Sequence, residues 1–134
     1  MAITGTADDD TLIGTGGADL IQGLSGDDSI TGLEGNDTLD GGSGEDVFYI
    51  AGGSFGTDFF RGGDGSDRIR LSGDVSVSSL LLDAAHVSSV ETLDFSYYDI
   101  SGTDGADVID ISGVTSTSSS SLIDLGDGAD RFAG

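Results

Sequence analysis

Large apolar residues recur every nine positions through most of the first half of the chain. From Gly5 the sequence divides into contiguous nonapeptides, which read GTADDDTLI, GTGGADLIQ, GLSGDDSIT, GLEGNDTLD and GGSGEDVFY. After Ile50-Ala51-Gly52 the frame resumes with GSFGTDFFR and GGDGSDRIR, and two isolated copies follow, GTDGADVID and LGDGADRFA. Position eight is apolar in every copy: Leu12, Ile21, Ile30, Leu39, Phe48, Phe60, Ile69, Ile109 and Phe132. An apolar position between two mixed ones predicts a short strand with one buried face.

The six residues before each predicted strand read as a tight turn. Position four is Gly in all copies but the first, as expected where a turn needs positive φ or close approach. Such a short unit cannot fold alone, so the repeats predict an all-β fold, a parallel β-solenoid. If each turn reverses the chain, two nonapeptides form one coil, and repeats i and i+2 stack about 4.8 Å apart.

Position six is aspartate in all nine copies. The residues are Asp10, Asp19, Asp28, Asp37, Asp46, Asp58, Asp67, Asp107 and Asp130. Stacking of alternate repeats places Asp10, Asp28 and Asp46 in one column, and Asp19 and Asp37 in the opposite one. A column of like charges opposes folding unless something lies between them.

The composition narrows the function classes. The 134 residues include 25 acidic and four basic ones, giving a net charge of −21. Such a chain lacks the basic face that binding to nucleic acid or to an anionic membrane requires, and no apolar run reaches transmembrane length. Disorder is the competing interpretation of so acidic a chain, but 36% hydrophobic content at strict spacing favours a folded state. The absence of cysteine leaves the redox compartment open.

One large apolar residue in nine is a thin core for a glycine-rich backbone. Backbone entropy and the stacked carboxylates both oppose folding. A divalent cation between adjacent turns would reverse the electrostatic effect. The candidate ligands, Asp carboxylates and turn carbonyls, are all oxygens, which suit Ca2+ and do not suit zinc or copper.

The repeats resemble the RTX (repeats-in-toxin, hemolysin-type) calcium-binding nonapeptide, G-G-x-G-x-D-x-U-x with U large and apolar. GGSGEDVFY and GGDGSDRIR match it at every defined position. The resemblance implies a right-handed parallel β-roll that holds several Ca2+ ions between repeats i and i+2. The implied ligands are the nine position-six aspartates, together with carbonyls or side chains at Asp9, Asp27, Asn36, Gly26, Gly35, Gly44 and Gly65.

The resemblance also implies a location and a behaviour. Family members are typically exported from Gram-negative bacteria by a type I route with a C-terminal signal, and fold on meeting calcium outside. We therefore expect a secreted or cell-surface calcium-binding module, monomeric in isolation, that folds and rigidifies with Ca2+. The first copy departs from the motif at Thr6 and Asp8, which predicts an imperfect, capping turn.

Beyond Arg70 the nine-residue frame is lost for 31 residues. Short strand-like runs lie at 75–77, 80–82, 90–95, 108–111 and 122–125. They predict a wider β-helical continuation in which Leu93/Phe95, Ile109/Ile111 and Ile123/Leu125 stack as inward pairs, with a loop at 116–121. A short helix at 83–90 is the alternative. We expect a nonapeptide β-roll at 1–73 and its continuation at 74–134, as one module of a larger protein whose export signal is absent here.

Other functional hypotheses are weaker. Gly52-Gly53-Ser54-Phe55-Gly56 fits the nucleophile-elbow pattern, but Ser54 falls in a repeat turn and His86, the chain's one histidine, lies elsewhere. No nucleophile–base or acid pair stands apart from the repeats, so we do not expect an enzyme. The alternative function is a glycan-binding or adhesin module that recognises extracellular polysaccharide or a surface-layer partner, for which Phe59, Tyr97 and Tyr98 are candidate stacking residues.

Overall fold

The computed structural model describes most of the chain. The described residues are 1–51, 56–73, 75–76, 79–95, 100–101, 108–114, 116–118, 123–124 and 131–133. All regular structure in these ranges is β-strand. They contain no helix of the length and hydrophobicity needed to cross a membrane.

The nonapeptide region forms one strand before Gly5 and one short strand for each of the seven repeats between Gly5 and Arg70. Its strands are β1 (Ala2–Thr4), β2 (Thr11–Ile13), β3 (Leu20–Ser25), β4 (Ser29–Thr31), β5 (Thr38–Ser43), β6 (Val47–Ile50), β7 (Phe59–Asp64) and β8 (Arg68–Leu71). The apolar position-eight side chain points inward, while its neighbours are partly or fully exposed. Each strand therefore follows the predicted alternation.

Successive strands belong alternately to two sheets. The first sheet contains β1, β3, β5 and β7, and the second contains β2, β4, β6 and β8, all in parallel pairs. Leu12, Ile30, Phe48 and Ile69 are aligned in one ladder. Pairing thus joins repeats i and i+2, and the parallel β-solenoid predicted from the nonapeptide period is confirmed.

The interruption at 50–52 begins with a core residue. Ile50 is 2% exposed and is aligned with Leu71, which is 1% exposed. This pair extends β6 and β8 by one inward position. The three extra residues lengthen that coil from 18 to 21 positions without breaking the ladder between Phe48 and Ile69.

Beyond the nonapeptides the coils become wider. The strands are β9 (Val75–Ser76), β10 (Ser79–Leu81), β11 (Val87–Ser88), β12 (Thr92–Asp94), β13 (Ile100–Ser101), β14 (Val108–Asp110), β15 (Ser116–Ser118), β16 (Ile123–Asp124) and β17 (Arg131–Ala133). β11 extends the first sheet, β12 and β15 extend the second, and two further sheets contain β9, β13, β16 and β10, β14, β17. The wider continuation predicted from sequence is confirmed.

The predicted stacking of inward pairs in this half is wrong. Leu93 is aligned with Ile69 and Thr117, whereas Ile109 and Ile123 lie in the two further sheets. One coil here takes 24 positions, from Ile69 to Leu93 and again to Thr117. From β12 onward, successive strands are about eight residues apart and belong to three sheets in turn, so a step of about 15 residues passes over one side of the coil. Leu125 lies outside the described residues.

Two local predictions also need correction. The helix considered for 83–90 is a single turn, in which Asp83 Oδ1 accepts the N–H of Ala85 at 2.9 Å, followed by β11. Ser116–Ser118, expected in a loop, form β15, because the backbone pairs with β12 whatever the side chains are. The remainder of the serine run lies outside the described residues.

Candidate metal centre

The position-six aspartates form two columns in the turns that precede the strands. The first aspartate column contains Asp10, Asp28, Asp46 and Asp67, before β2, β4, β6 and β8. The second aspartate column contains Asp19, Asp37 and Asp58, before β3, β5 and β7. Asp107 and Asp130 lie outside the described residues. The columns predicted from the two-repeat coil are those that the structure has.

Five of the seven carboxylates, all but those of Asp10 and Asp19, use one oxygen to accept a backbone N–H of the preceding coil. In the first column, Oδ1 of Asp28 accepts the backbone N–H of Asp10 at 2.8 Å, and Oδ1 of Asp46 accepts that of Asp28 at 2.9 Å. In the second column, Oδ1 of Asp37 accepts the N–H of Asp19 at 2.8 Å. The aspartates therefore connect adjacent coils of the folded protein through directed hydrogen bonds.

Glu91 continues the first column and was missed in the sequence. Its Oε2 accepts the N–H of Asp67 at 2.8 Å, directly before β12. The signal was present, since Glu91-Thr92-Leu93-Asp94 reproduces positions six to nine of the repeat with glutamate in place of aspartate. It was not recognised because the residues before Glu91 lack the glycines that mark the turn of a repeat.

The other carboxylate oxygen is buried and unpartnered in four of these residues. Oδ2 of Asp28, Asp37, Asp46 and Asp67 has no hydrogen-bond donor, and each of these side chains is at most 1% exposed. Buried polar atoms without a partner are rare, because desolvation without compensation is costly. Four such oxygens at equivalent positions indicate a missing positive partner.

Burial also disfavours the charge on these groups. It raises the pKa of Asp46 to about 6, with the carboxylates of Asp67 and Asp28 adding to the shift and the N–H of Asp28 opposing it. Burial raises the pKa of Asp58 to about 7, and also raises those of Asp28, Asp37 and Asp67. A bound divalent cation would remove this penalty.

The position-one glycines form an oxygen-lined cradle beside the unpartnered atoms. A Cβ at Gly23 would overlap Asp28 Oδ2 and lie 2.5 Å from the carbonyl oxygen of Gly41 in the next coil. A Cβ at Gly41 would likewise overlap Asp46 Oδ2. Glycine is needed here because any side chain would fill the space between turns.

The position-four glycines, predicted as carbonyl ligands, bring adjacent turns into contact. Gly26, Gly35, Gly44 and Gly65 all have positive φ, between 106° and 144°. A Cβ at Gly44 would overlap the carbonyl oxygen of Gly26, and one at Gly65 that of Gly44. The turns can therefore stack only with glycine at this position.

Three further predicted ligands lie on the outside of the turns. Asp9, Asp27 and Asn36 are exposed, and each accepts a backbone N–H from the next coil, those of Asp27, Glu45 and Thr57 respectively. Their side chains thus support coil stacking, and their role as metal ligands stays a prediction.

The donor set fits a hard cation. Among the described residues no three acidic, histidine or cysteine side chains converge, so side chains alone do not build the site. Carboxylate and backbone carbonyl oxygens would have to share the coordination. That combination is typical of Ca2+, which accepts carbonyl ligands and irregular geometry.

A groove lies on the outer face of the first sheet, away from the aspartates. It has a volume of about 350 Å3 and is lined by Gln22, Asp40, Phe59, Arg61 and the turn that contains His86. Phe59 is 47% exposed and stacks on His86 at 5.0 Å between centroids. His86 also contacts Asp83 at 2.7 Å, and this contact lowers the pKa of Asp83. Ser54, Tyr97 and Tyr98 lie outside the described residues.

The fold and these turns define a class of protein, a parallel β-solenoid whose stacked turns are lined by carboxylate and carbonyl oxygens. The family model of the RTX calcium-binding nonapeptide repeat (4 copies) matches residues 4–39, 13–48 and 52–74, which together cover just over half of the chain. The chain belongs to this family, and the repeats bind Ca2+ at several sites. Comparisons with curated proteins and with solved structures gave no significant match.

Proposed function

We propose that this chain is a calcium-dependent folding module of a secreted or cell-surface bacterial protein, and that Ca2+ converts it from coil to a rigid solenoid. The observation that carries the proposal is the set of buried, unpartnered Oδ2 atoms of Asp28, Asp37, Asp46 and Asp67. Without a cation these oxygens are desolvated and repel one another along the columns. With Ca2+ they become ligands that join adjacent turns.

The proposal includes a location because calcium decides where the chain folds. A module with a net charge of −21 and a core of one large residue per repeat stays unfolded where calcium is scarce. It folds where calcium is plentiful, as it is outside cells. RTX repeats are typical of secreted bacterial proteins, which supports this placement. A structural rather than catalytic role is part of the same proposal.

Far-UV circular dichroism during a CaCl2 titration tests the proposal. We expect a coil spectrum in chelator and a cooperative change to β-structure at roughly 10⁻⁴–10⁻³ M Ca2+, the range of extracellular modules. MgCl2 at equal concentration is the control for ion size, because Mg2+ dehydrates reluctantly. NaCl at matched ionic strength is the control for charge screening. A complete β spectrum in excess chelator would contradict the proposal.

Glycan binding is a second candidate function, favoured by the groove on the first sheet. Its exposed ring, Phe59, lies beside Arg61 and Asp40, and Arg61 Nη1 is 3.6 Å from Asp40 Oδ2. A half-exposed aromatic ring beside polar groups can stack on a sugar while the polar groups bind its hydroxyls.

A polysaccharide-binding screen in saturating calcium tests this second candidate. We expect Phe59→Ala to lower the binding of any neutral polysaccharide at least tenfold while the β spectrum is unchanged. Retained binding in Phe59→Ala would mean that the glycan binds outside this groove. If the wild-type protein binds no polysaccharide, the glycan-binding function is wrong.

A further inference from the structure

The first two turns differ at position two of the repeat from the later turns whose position two the structure describes. Residues 5–10 and 14–19 carry Thr6 and Thr15 there, whereas those later turns carry Leu24, Leu33, Gly42 and Gly63. The later four residues all have left-handed φ, between 75° and 116°. Neither threonine does, and neither does any glycine in the first two turns. Two backbone conformations thus occur in turns that belong to the same repeat.

The two backbone conformations differ in the hydrogen bonds that they give to Oδ2 of the position-six aspartate, the oxygen that is unpartnered in the later turns. Asp10 Oδ2 accepts the backbone N–H of Thr6 at 2.6 Å and its hydroxyl at 3.0 Å. Asp19 Oδ2 accepts the N–H of Thr15 at 2.6 Å and its hydroxyl at 2.9 Å. In contrast, Oδ2 of Asp28 and Asp37 is buried without any donor. In the first two turns, therefore, Oδ2 of the aspartate accepts hydrogen bonds from its own turn, whereas in the later turns the same oxygen has no donor.

The surrounding cradle is otherwise the same. A Cβ at Gly14 would lie 2.8 Å from Asp19 Oδ2 and would overlap the carbonyl oxygen of Gly32. A Cβ at Gly23 would meet the equivalent two atoms in the next coil, Asp28 Oδ2 and the carbonyl oxygen of Gly41. Glycine at position four is not the deciding feature either, because the second turn has Gly17 there. The N-terminal ammonium of Met1 lies 2.8 Å from Asp19 Oδ1, but it is not paired with Asp10. What the first two turns share, and these later turns lack, is the threonine and the backbone conformation that accompanies it.

We infer that Thr6 and Thr15 close the first two turns to calcium, so that ion binding begins at Asp28 and Asp37. In the closed turns the amide and hydroxyl donate to the oxygen that a cation would otherwise hold. In the open turns, where position two has left-handed φ, no donor reaches that oxygen. The inference rests on the proposed assignment of position-six aspartates as ligands and adds a rule for which of them act.

The first test compares Asp10→Asn with Asp28→Asn, two aspartates of the same column with the same change in charge. Bound calcium per chain is measured by equilibrium dialysis and atomic emission at a free Ca2+ concentration that saturates the β spectrum. We expect Asp10→Asn to bind as many ions as the wild-type protein, and Asp28→Asn to bind at least one fewer. An equal loss in both variants would overturn the closure. No loss in either would overturn the ligand assignment on which it rests.

The second test opens a closed turn. Thr15→Gly converts GTGGADLIQ to a repeat that matches the family motif at every defined position, and we expect it to bind one ion more than the wild-type protein. Ala18→Gly in the same turn is the matched control for added backbone freedom, because it keeps Thr15, and its ion count should not change. An unchanged number of bound ions in Thr15→Gly would overturn the inference. If Asp10→Asn does not fold, the number of ions bound by Thr15→Gly is the deciding measurement.

Discussion

Phe60→Ala is expected to destabilise the calcium-loaded protein by about 3–5 kcal/mol, the usual effect of removing a buried phenylalanine. Phe60 is 3% exposed and is aligned with Leu39 and Val87 in the ladder of the first sheet. Its ring also meets Phe48 of the second sheet edge to face, with centroids 5.7 Å apart. Because each nonapeptide supplies only one large inward residue, no neighbouring side chain can refill the cavity.

The adjacent Phe59 provides a matched control. It is the same residue type in the same strand, but it points outward and is 47% exposed. Phe59→Ala should cost less than about 1 kcal/mol, since it removes mainly the stacking contact with His86. Urea unfolding in saturating calcium measures both variants. Similar losses of stability would contradict an inward–outward alternation at these two positions.

The nonapeptide region could be predicted in detail because every level of its sequence agrees. Apolar position eight, glycine at positions one and four and aspartate at position six all repeat at the same period. That agreement fixed the strands, the pairing of repeats i and i+2 and the two aspartate columns. The period could not predict that Ile50 is buried in the core, because Ile50 lies in the three-residue interruption and belongs to no repeat.

The continuation was harder to predict because the sequence does not state how many sides a coil has. The spacing of Leu93, Ile109 and Ile123 fits stacked coils of about 15 residues, and equally fits alternate sides of larger, three-sided coils. Only pairing distinguishes them, and pairing joins Leu93 to Ile69. The strand β15 could not be predicted either, because its side chains carry no apolar pattern and main-chain pairing with β12 alone forms it.

The candidate site shows a similar division between composition and conformation. Aspartate at position six was enough to predict two ligand columns. Which oxygens are free depends on the backbone of position two, where Leu24 has a φ of 87°. A leucine is a poor predictor of left-handed backbone, because that conformation is strained for residues with a Cβ. The turn as a whole imposes it.

Asp46→Asn is expected to have opposite effects with and without calcium. The amide keeps an oxygen that can accept the N–H of Asp28, so the contact between coils survives. It removes a negative charge from the centre of the first column, where Asp46 is fully buried. In calcium the variant loses an anionic ligand, and the Ca2+ midpoint of folding should rise about tenfold, the equivalent of roughly 1.4 kcal/mol.

Without calcium the same substitution should favour folding. Burial raises the pKa of Asp46 from 3.8 to about 6, so the charged form destabilises the metal-free folded state above pH 6. That penalty shrinks as the pH falls from 6 to 3.8, and it is absent well below 3.8, where the group is protonated in both states. In chelator at pH 8, folding induced by trimethylamine N-oxide should therefore need less osmolyte in the variant than in the wild-type protein. The difference should narrow at pH 5.

Asp40→Asn is the control for net charge. Asp40 follows Leu39 in β5, outside the columns, and pairs with Arg61 at 3.6 Å on the surface. It should leave the Ca2+ midpoint within about twofold of the wild-type value, since exposed ion pairs contribute little. Equal shifts from Asp40→Asn and Asp46→Asn would mean that calcium acts by screening a uniformly acidic surface. A shift confined to Asp46→Asn means that a specific carboxylate oxygen holds the ion. The aspartate column, which opposes folding in the metal-free chain, is then the part of the sequence that makes folding respond to calcium.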